Sequence, residues 1–160
     1  MYFIIIAAVV ALDQLTKYLI RTSLVLDSST PLINGVFHLT YIHNSGAAFS
    51  IFQNKTGFLI AMQLIVIAMV TVYLILKQKK EHWCLLLSLS LIAAGGVGNL
   101  IDRAMNGYVV DFLDFRVWPI FNVADISVCV GCGLLILYMF FIEPKRGKSK
   151  NADTGGNGIS

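Results

Sequence analysis

Residues 83–103 read WCLLLSLSLIAAGGVGNLIDR, nineteen positions without a charge followed at once by an acid and a base. A helix rises ~1.5 Å per residue, so about 20 mainly apolar residues carry it across the hydrocarbon of a bilayer. Residues 83–101 meet that requirement, and so do 2–20, 56–76 and 122–142. The whole chain agrees: 57% of residues are hydrophobic, 13% are charged, and the mean hydropathy is +0.76, far from an ordinary soluble domain. The fold class expected is an all-α integral membrane protein with four transmembrane helices and small extracytoplasmic β or loop elements at the membrane surface. Residues 1–144 read as one domain with no internal repeat. The first span lacks a basic start and holds Asp13 where the core of a secretory signal peptide would stay apolar, so it reads as a retained helix.

Lysine and arginine set the orientation. The link KQKKEH at 77–82 holds three lysines, and Lys145, Arg146, Lys148 and Lys150 follow Pro144, whereas loops 21–55 and 103–121 are sparsely basic. Positive charge marks the cytoplasmic side, so both termini are expected there. Residues 145–160, ending NADTGGNGIS, read as a disordered cytoplasmic tail. The net charge of +3 is small and follows no aromatic-lined groove, so nucleic acid is not an expected partner.

The two outer loops carry strand signals. An Asn-Gly pair at 34–35 precedes the aromatic and β-branched run 36–43, which predicts a short hairpin. GYVVDFLDFRVWPIF at 107–121 has the same extended character, with Trp118 and several phenylalanines suited to the membrane interface. Glycines 35, 46, 57 and 107 suit either turns or hinges.

The polar residues fall at one level. With the N-terminus inside, Asp13 and Lys17 occupy the outer half of the first helix, Asn99 and Asp102 the outer end of the third, and Asn122 and Asp125 the outer start of the fourth. Each pair is spaced i,i+3 or i,i+4 and so shares one helical face. Asn44, Arg103, Asp111 and Asp114 can reach the same zone from the loops. Ionisable residues inside a membrane are expensive, by about 2.5–3.5 kcal/mol at mid-bilayer, and mark function by default. A purely structural network joining Asp13 to Lys17 or Arg103 is the plainer alternative.

Two carboxylates sharing a site cannot both ionise easily. One then keeps a proton to polarise a scissile carbonyl while the other takes a proton from water, which is aspartic hydrolysis. Asparagine amides and an arginine can hold a peptide backbone or a developing oxyanion. A different class, a small ion- or proton-coupled transporter using the same acids as a relay, would continue its acids toward the cytoplasm. The inner halves of the four helices have none.

Other chemistries find less support. Ser45 has no nucleophile elbow around it, and His38, His43 and His82 lack metal-ligand spacing; neither metal nor cofactor is expected. Cys129 and Cys132 form a C-x-x-C, which could belong to a thiol oxidoreductase. The outer loops hold no cysteine to pass oxidation on, so these two, with Gly131 and Gly133, read as small residues where helices approach closely.

Five ordered blocks carry a resemblance: DQLTK at 13–17, HNSGAAF at 43–49, GGVGNLIDR at 95–103, GYVVDF at 107–112 and FNVAD at 121–125. Over residues 10–135 the chain resembles the bacterial lipoprotein signal peptidases, the type II signal peptidase family. The resemblance implies four helices with both ends cytoplasmic and an aspartic dyad near the outer surface of the bacterial cytoplasmic membrane. The implied substrates are lipid-modified precursors, cut just before the diacylglyceryl cysteine. It assigns Asp111 and Asp125 as the catalytic pair, lines the site with Asn44, Asn99, Arg103 and Asn122, and surrounds it with Asp13, Lys17 and Asp102. The implied partners are those precursors and membrane lipid, and the chain is expected to act as a monomer. The residues by themselves leave open whether Asp102 or Asp111 partners Asp125. The first turn of a helix favours the Asp125 anion, and a helix C-terminus disfavours that of Asp102.

Overall fold

The computed structural model describes residues 1–46 and 55–144. In chain order these form helix α1 (Tyr2–Ser23), strands β1 (Ser29–Ile33) and β2 (Phe37–Asn44), helices α2 (Thr56–Lys77) and α3 (Trp83–Asn106), strand β3 (Val109–Asp114) and helix α4 (Val123–Leu137). A π-helical turn, Tyr138–Ile142, prolongs α4. All four helices are long and apolar enough to cross a membrane. The tail expected at 145–160, and positions 47–49 of the HNSGAAF block, lie outside the described residues.

Two helix ends differ from those that polarity predicts. Helix α3 runs five residues past its expected end at 101, because Asp102 and Arg103 are buried at 1% and 7% exposure rather than released to solvent. It stops instead at Gly107, whose φ of 80° is left-handed and whose N–H donates to the Arg103 carbonyl at 3.0 Å. At its start the His82 ring accepts from the Cys84 N–H. Helix α4 begins one residue later than expected, since Asn122 is its cap. The Asn122 side chain accepts from the Asp125 N–H at 2.9 Å while the Asp125 carboxylate accepts from the Asn122 N–H at 3.1 Å, a reciprocal capping box.

Helix α3 is the centre of the bundle. Helices α1, α2 and α4 all pack on it, and α1 also meets α4. Lipid tails supply no hydrophobic drive for helix association, so close contact depends on small residues. A Cβ at Gly95 would lie 2.3 Å from the Ala124 carbonyl oxygen, one at Gly98 2.6 Å from Asp13 Oδ2, and one at Gly131 2.8 Å from the Ser88 carbonyl oxygen. Leu12, Leu15, Ile65, Met69 and Ile136 are exposed on the outer surface, as lipid-facing residues should be.

The packing role expected for the C-x-x-C belongs to its neighbours. Cys129 and Cys132 are both exposed, and a Cβ at Gly133 would meet open space. Ala124, Val128 and Gly131 face α3. Each residue turns the helix by about 100°, which carries positions 129 and 132 off that stripe.

The hairpin and the second extended loop join in one antiparallel sheet, ordered β1-β2-β3. Gly35, with φ of 72°, makes the expected turn. Ser29 pairs with Thr40, and Ile42, His43 and Asn44 pair with Asp111, Val110 and Val109. Ile20, Tyr41, Val110 and Phe112 form a buried cluster that fastens the sheet to the end of α1. The chain then doubles back beside β3: Leu113 and Phe121 exchange backbone hydrogen bonds of 2.8 and 3.1 Å. This return sets Asn122 next to Asp111.

Candidate active site

Asp111 sits on β3 and is 1% exposed; Asp125 sits in the first turn of α4 and is partly exposed. Both line one cavity of about 610 Å³, together with Asn44, Asn99 and Arg103. Amide donors hold the carboxylates. Asp111 accepts from Asn44 Nδ2 at 2.8 Å and from Asn122 Nδ2 at 2.7 Å, and Asp125 accepts from Asn99 Nδ2 at 2.8 Å. Asn122 therefore touches both acids, one through its side chain and the other through its backbone.

Burial, followed by the charge of Asp125, pushes the Asp111 carboxyl up to about 7, although the Asn44 and Asn122 amides and Lys17 pull the other way. A carboxyl that titrates there keeps much of its proton at neutral pH.

Behind this pair lies a fully buried charge network. Lys17 makes ion pairs with Asp13 at 2.8 Å and Asp102 at 3.3 Å, and it donates to Asn99 Oδ1 at 3.0 Å. Asn122 Nδ2 donates to the same Asn99 oxygen at 3.1 Å. Two donors on the carbonyl end of Asn99 leave its NH₂ end aimed at Asp125. Asp13 also accepts from the Ala124 N–H at 2.9 Å and so anchors α4 to α1. Asp102 accepts from the Val110 N–H at 3.0 Å, which ties α3 to β3.

The sequence-predicted residues thus divide by position. Asn44, Asn99, Arg103, Asp111 and Asp125 face the cavity, and Asn122 bridges the carboxylates. Asp13, Lys17 and Asp102 form the network behind. Arg103 donates through Nη2 to the Gly46 carbonyl oxygen, and its buried Nε has no partner among the described residues. Asp102 is held by two cations, Lys17 at 3.3 Å and Arg21 at 3.0 Å. Asp114 stays out of the cavity. It accepts from Thr40 Oγ1 at 2.7 Å and Arg116 Nη1 at 3.0 Å on the other side of the strand.

Arg21 and Gln14 were not among the expected site residues. Gln14 donates to the Gly98 carbonyl and to Asp13, and Arg21 continues the Asp13–Lys17 stripe by one more helical turn. The spacing 13, 17, 21, three charged residues on one face of a mainly apolar helix, is the available signal. The histidines lie on separate elements: His38 beside Ser29, His82 at the start of α3, and His43 stacked on Tyr108 with its Nε2 against the Tyr41 hydroxyl.

Among the described residues, four apolar helices, a small sheet and a cavity lined by two carboxylates define a multi-pass membrane protein. The chain belongs to the signal peptidase II family: the profile described as "Signal peptidase (SPase) II" matches residues 5–141. It is 50% identical to the lipoprotein signal peptidase of Brevibacillus brevis over 147 residues, 91% of this chain and 98% of that protein. It is 44% identical to that of Halothermothrix orenii over 140 residues, 88% of this chain and 95% of that one. A solved bacterial membrane enzyme superposes with a TM-score of 0.80 at 34% identity, covering 86% of each chain.

Proposed function

We propose that this chain is an aspartic endopeptidase that removes the signal peptide from lipid-modified prolipoproteins, cutting just before the diacylglyceryl cysteine. The observation that carries the reading is the shared cavity of Asp111 and Asp125, each acid held by side-chain amides and both bridged by Asn122. Membership in the signal peptidase II family supports the substrate class. The positive link at 77–82 supports cytoplasmic termini and a site near the extracytoplasmic face of the bacterial membrane. The chain is read as working alone, as a monomer in lipid.

In the mechanism Asp111 carries the proton and Asp125 the charge. Asp111 is the more buried acid and its carboxyl titrates near 7, while Asp125 lies at the positive end of the α4 dipole. Water in the cavity attacks the scissile carbonyl carbon and loses a proton to Asp125; Asp111 gives its proton to the carbonyl oxygen. Collapse of the resulting gem-diol breaks the C–N bond. The proton on Asp125 goes to the leaving amine and the diol returns one to Asp111, so the dyad ends as it began. Arg103, whose buried Nε has no partner among the described residues and which lines the cavity, would hold a substrate carbonyl. Asp13, Lys17 and Asp102 position the donors.

The test is cleavage of a lipid-modified precursor by purified protein in liposomes, with the new N-terminus read by mass. Asp111→Asn and Asp125→Asn are each expected to abolish turnover in folded protein, since an amide cannot exchange a proton with the attacking water. A near-normal rate for Asp111→Asn, with Asp102→Asn inactive, would move the pair to Asp102 and Asp125.

A further inference from the structure

Helix α2 contains no charge before Lys77 and one side-chain amide, Gln63. Gln63 lines the cavity of Asp111 and Asp125, and its Oε1 is buried with no hydrogen-bond partner among the described residues. A buried amide carbonyl left unpaired costs about 1–3 kcal/mol, and at membrane depth no bulk water relieves it. An apolar residue of similar size would avoid that cost, so packing does not explain a glutamine there.

The position is fixed by helix contacts. Ile67, one turn along from Gln63, lies against Gly96 of α3, where an added Cβ would sit 3.3 Å from its Cγ1. Leu59, one turn the other way, is buried and lines the cavity. Leu59, Gln63 and Ile67 therefore form one stripe on α2, turned toward the α3 face that carries Gly96, Asn99 and Arg103. Gln63 thus lines the same cavity as Asn99, whose amide donates to Asp125.

The substrate supplies a complementary need. A peptide bond inside an intact helix has its groups engaged in the i to i−4 ladder and shielded from a catalytic pair. The cleaved segment must be extended at the dyad, and its freed backbone N–H groups then lie at membrane depth, where they require acceptors. The ester groups of the substrate's lipid have no such donor. We infer that Gln63 is a substrate-positioning residue, accepting through Oε1 a backbone N–H of the extended signal peptide beside the scissile bond. This rests on the peptidase reading above.

The experiment pairs a variant with a substrate change. Gln63→Met keeps size and removes the acceptor, and a set of lipid-modified precursors carries one backbone N-methyl group each at successive positions on the signal-peptide side of the cleavage site. For the unaltered protein, N-methylation at one position is expected to raise KM about tenfold, the equivalent of about 1.4 kcal/mol. Gln63→Met should raise KM for the unmodified precursor by a similar factor, with kcat nearly unchanged, and should be indifferent to the methyl group at that position. Its thermal midpoint should be equal or higher, whereas a merely structural glutamine would lower it. Unchanged KM in Gln63→Met, or the same N-methyl profile in both proteins, overturns the inference and leaves the peptidase reading standing. No cleavage of any lipid-modified precursor by the unaltered protein overturns that reading, and this inference with it.

Discussion

Lys17 reaches across from α1 to place its ammonium 3.0 Å from Oδ1 of Asn99, and that contact, with the Asn122 amide on the same oxygen, sets which end of the Asn99 amide faces Asp125. Lys17 also neutralises Asp13 and Asp102, at 2.8 and 3.3 Å. Removing one member of a buried ionic network leaves uncompensated charge, at about 3–5 kcal/mol. Lys17→Met is therefore expected to lower stability by about 3 kcal/mol or more. Combining it with Asp13→Asn should recover part of that loss, because the pair then leaves together. Denaturation of the single and double variants measures the coupling. Additive losses would show that Lys17 does not act through Asp13.

The four spans, the hairpin at 34–35 and the convergence of Asp13, Asn99, Asn122 and Asp125 follow from hydropathy and from i,i+3 and i,i+4 spacing. Hydropathy ends the first span at residue 20 and puts Arg21 in a loop, whereas the helix runs to Ser23 and stacks Arg21 one turn beyond Lys17. Polarity ordinarily ends a span and so predicts a helix end at Asp102 and Arg103, whereas partners on α1 and β3 satisfy Asp102 inside the protein. The choice between Asp102 and Asp111 needed tertiary pairing. Only the sheet register and the return at Phe121 bring Asp111 beside Asn122.

The pH dependence follows from Asp111. Its carboxyl is raised from 3.8 to about 7, chiefly by burial and then by the Asp125 charge. As the proposed proton donor it is active when protonated, so kcat/KM, which follows the free enzyme, should fall as pH rises through about 7, approaching tenfold per pH unit beyond it. The stability sign agrees. A raised carboxyl pKa means that the folded state holds the proton more tightly, so its contribution is fullest below 3.8 and is lost as pH rises through about 7. Values of kcat/KM from pH 5 to 9, set beside melting curves, separate the two effects. A kcat/KM flat across that range would remove Asp111 from the donor role.

Cys129 and Cys132 provide a directional test of the cavity. Cys129 lines it and Cys132 does not, though both are exposed. Cys129→Phe should intrude on the substrate and reduce kcat/KM about tenfold or more, since a mispositioned substrate loses rate steeply. Cys132→Phe faces away and should retain near-normal activity. Replacing Cys84, Cys129 and Cys132 together by alanine should preserve turnover, because no thiol takes part in the reaction. Loss of turnover in that folded triple variant would restore a redox reading.

Asn122 combines two duties that substitution can separate. Its side chain caps α4 by accepting from the Asp125 N–H, and its NH₂ donates to Asp111 at 2.7 Å and to Asn99 at 3.1 Å. Serine is close to asparagine as a cap but has no amide. Asn122→Ser should therefore keep α4 intact while leaving Asp111 without one of its two amide donors, and the rate should fall about a hundredfold, as for removal of one preorganised donor. Asn122→Ala loses the cap as well and should be less stable than the serine variant by about 1 kcal/mol. Melting curves and single-turnover cleavage of the two variants decide the matter. If serine restores both stability and rate, capping is the whole role of Asn122; if it restores stability alone, the amide bridge between the two carboxylates is what the reaction requires.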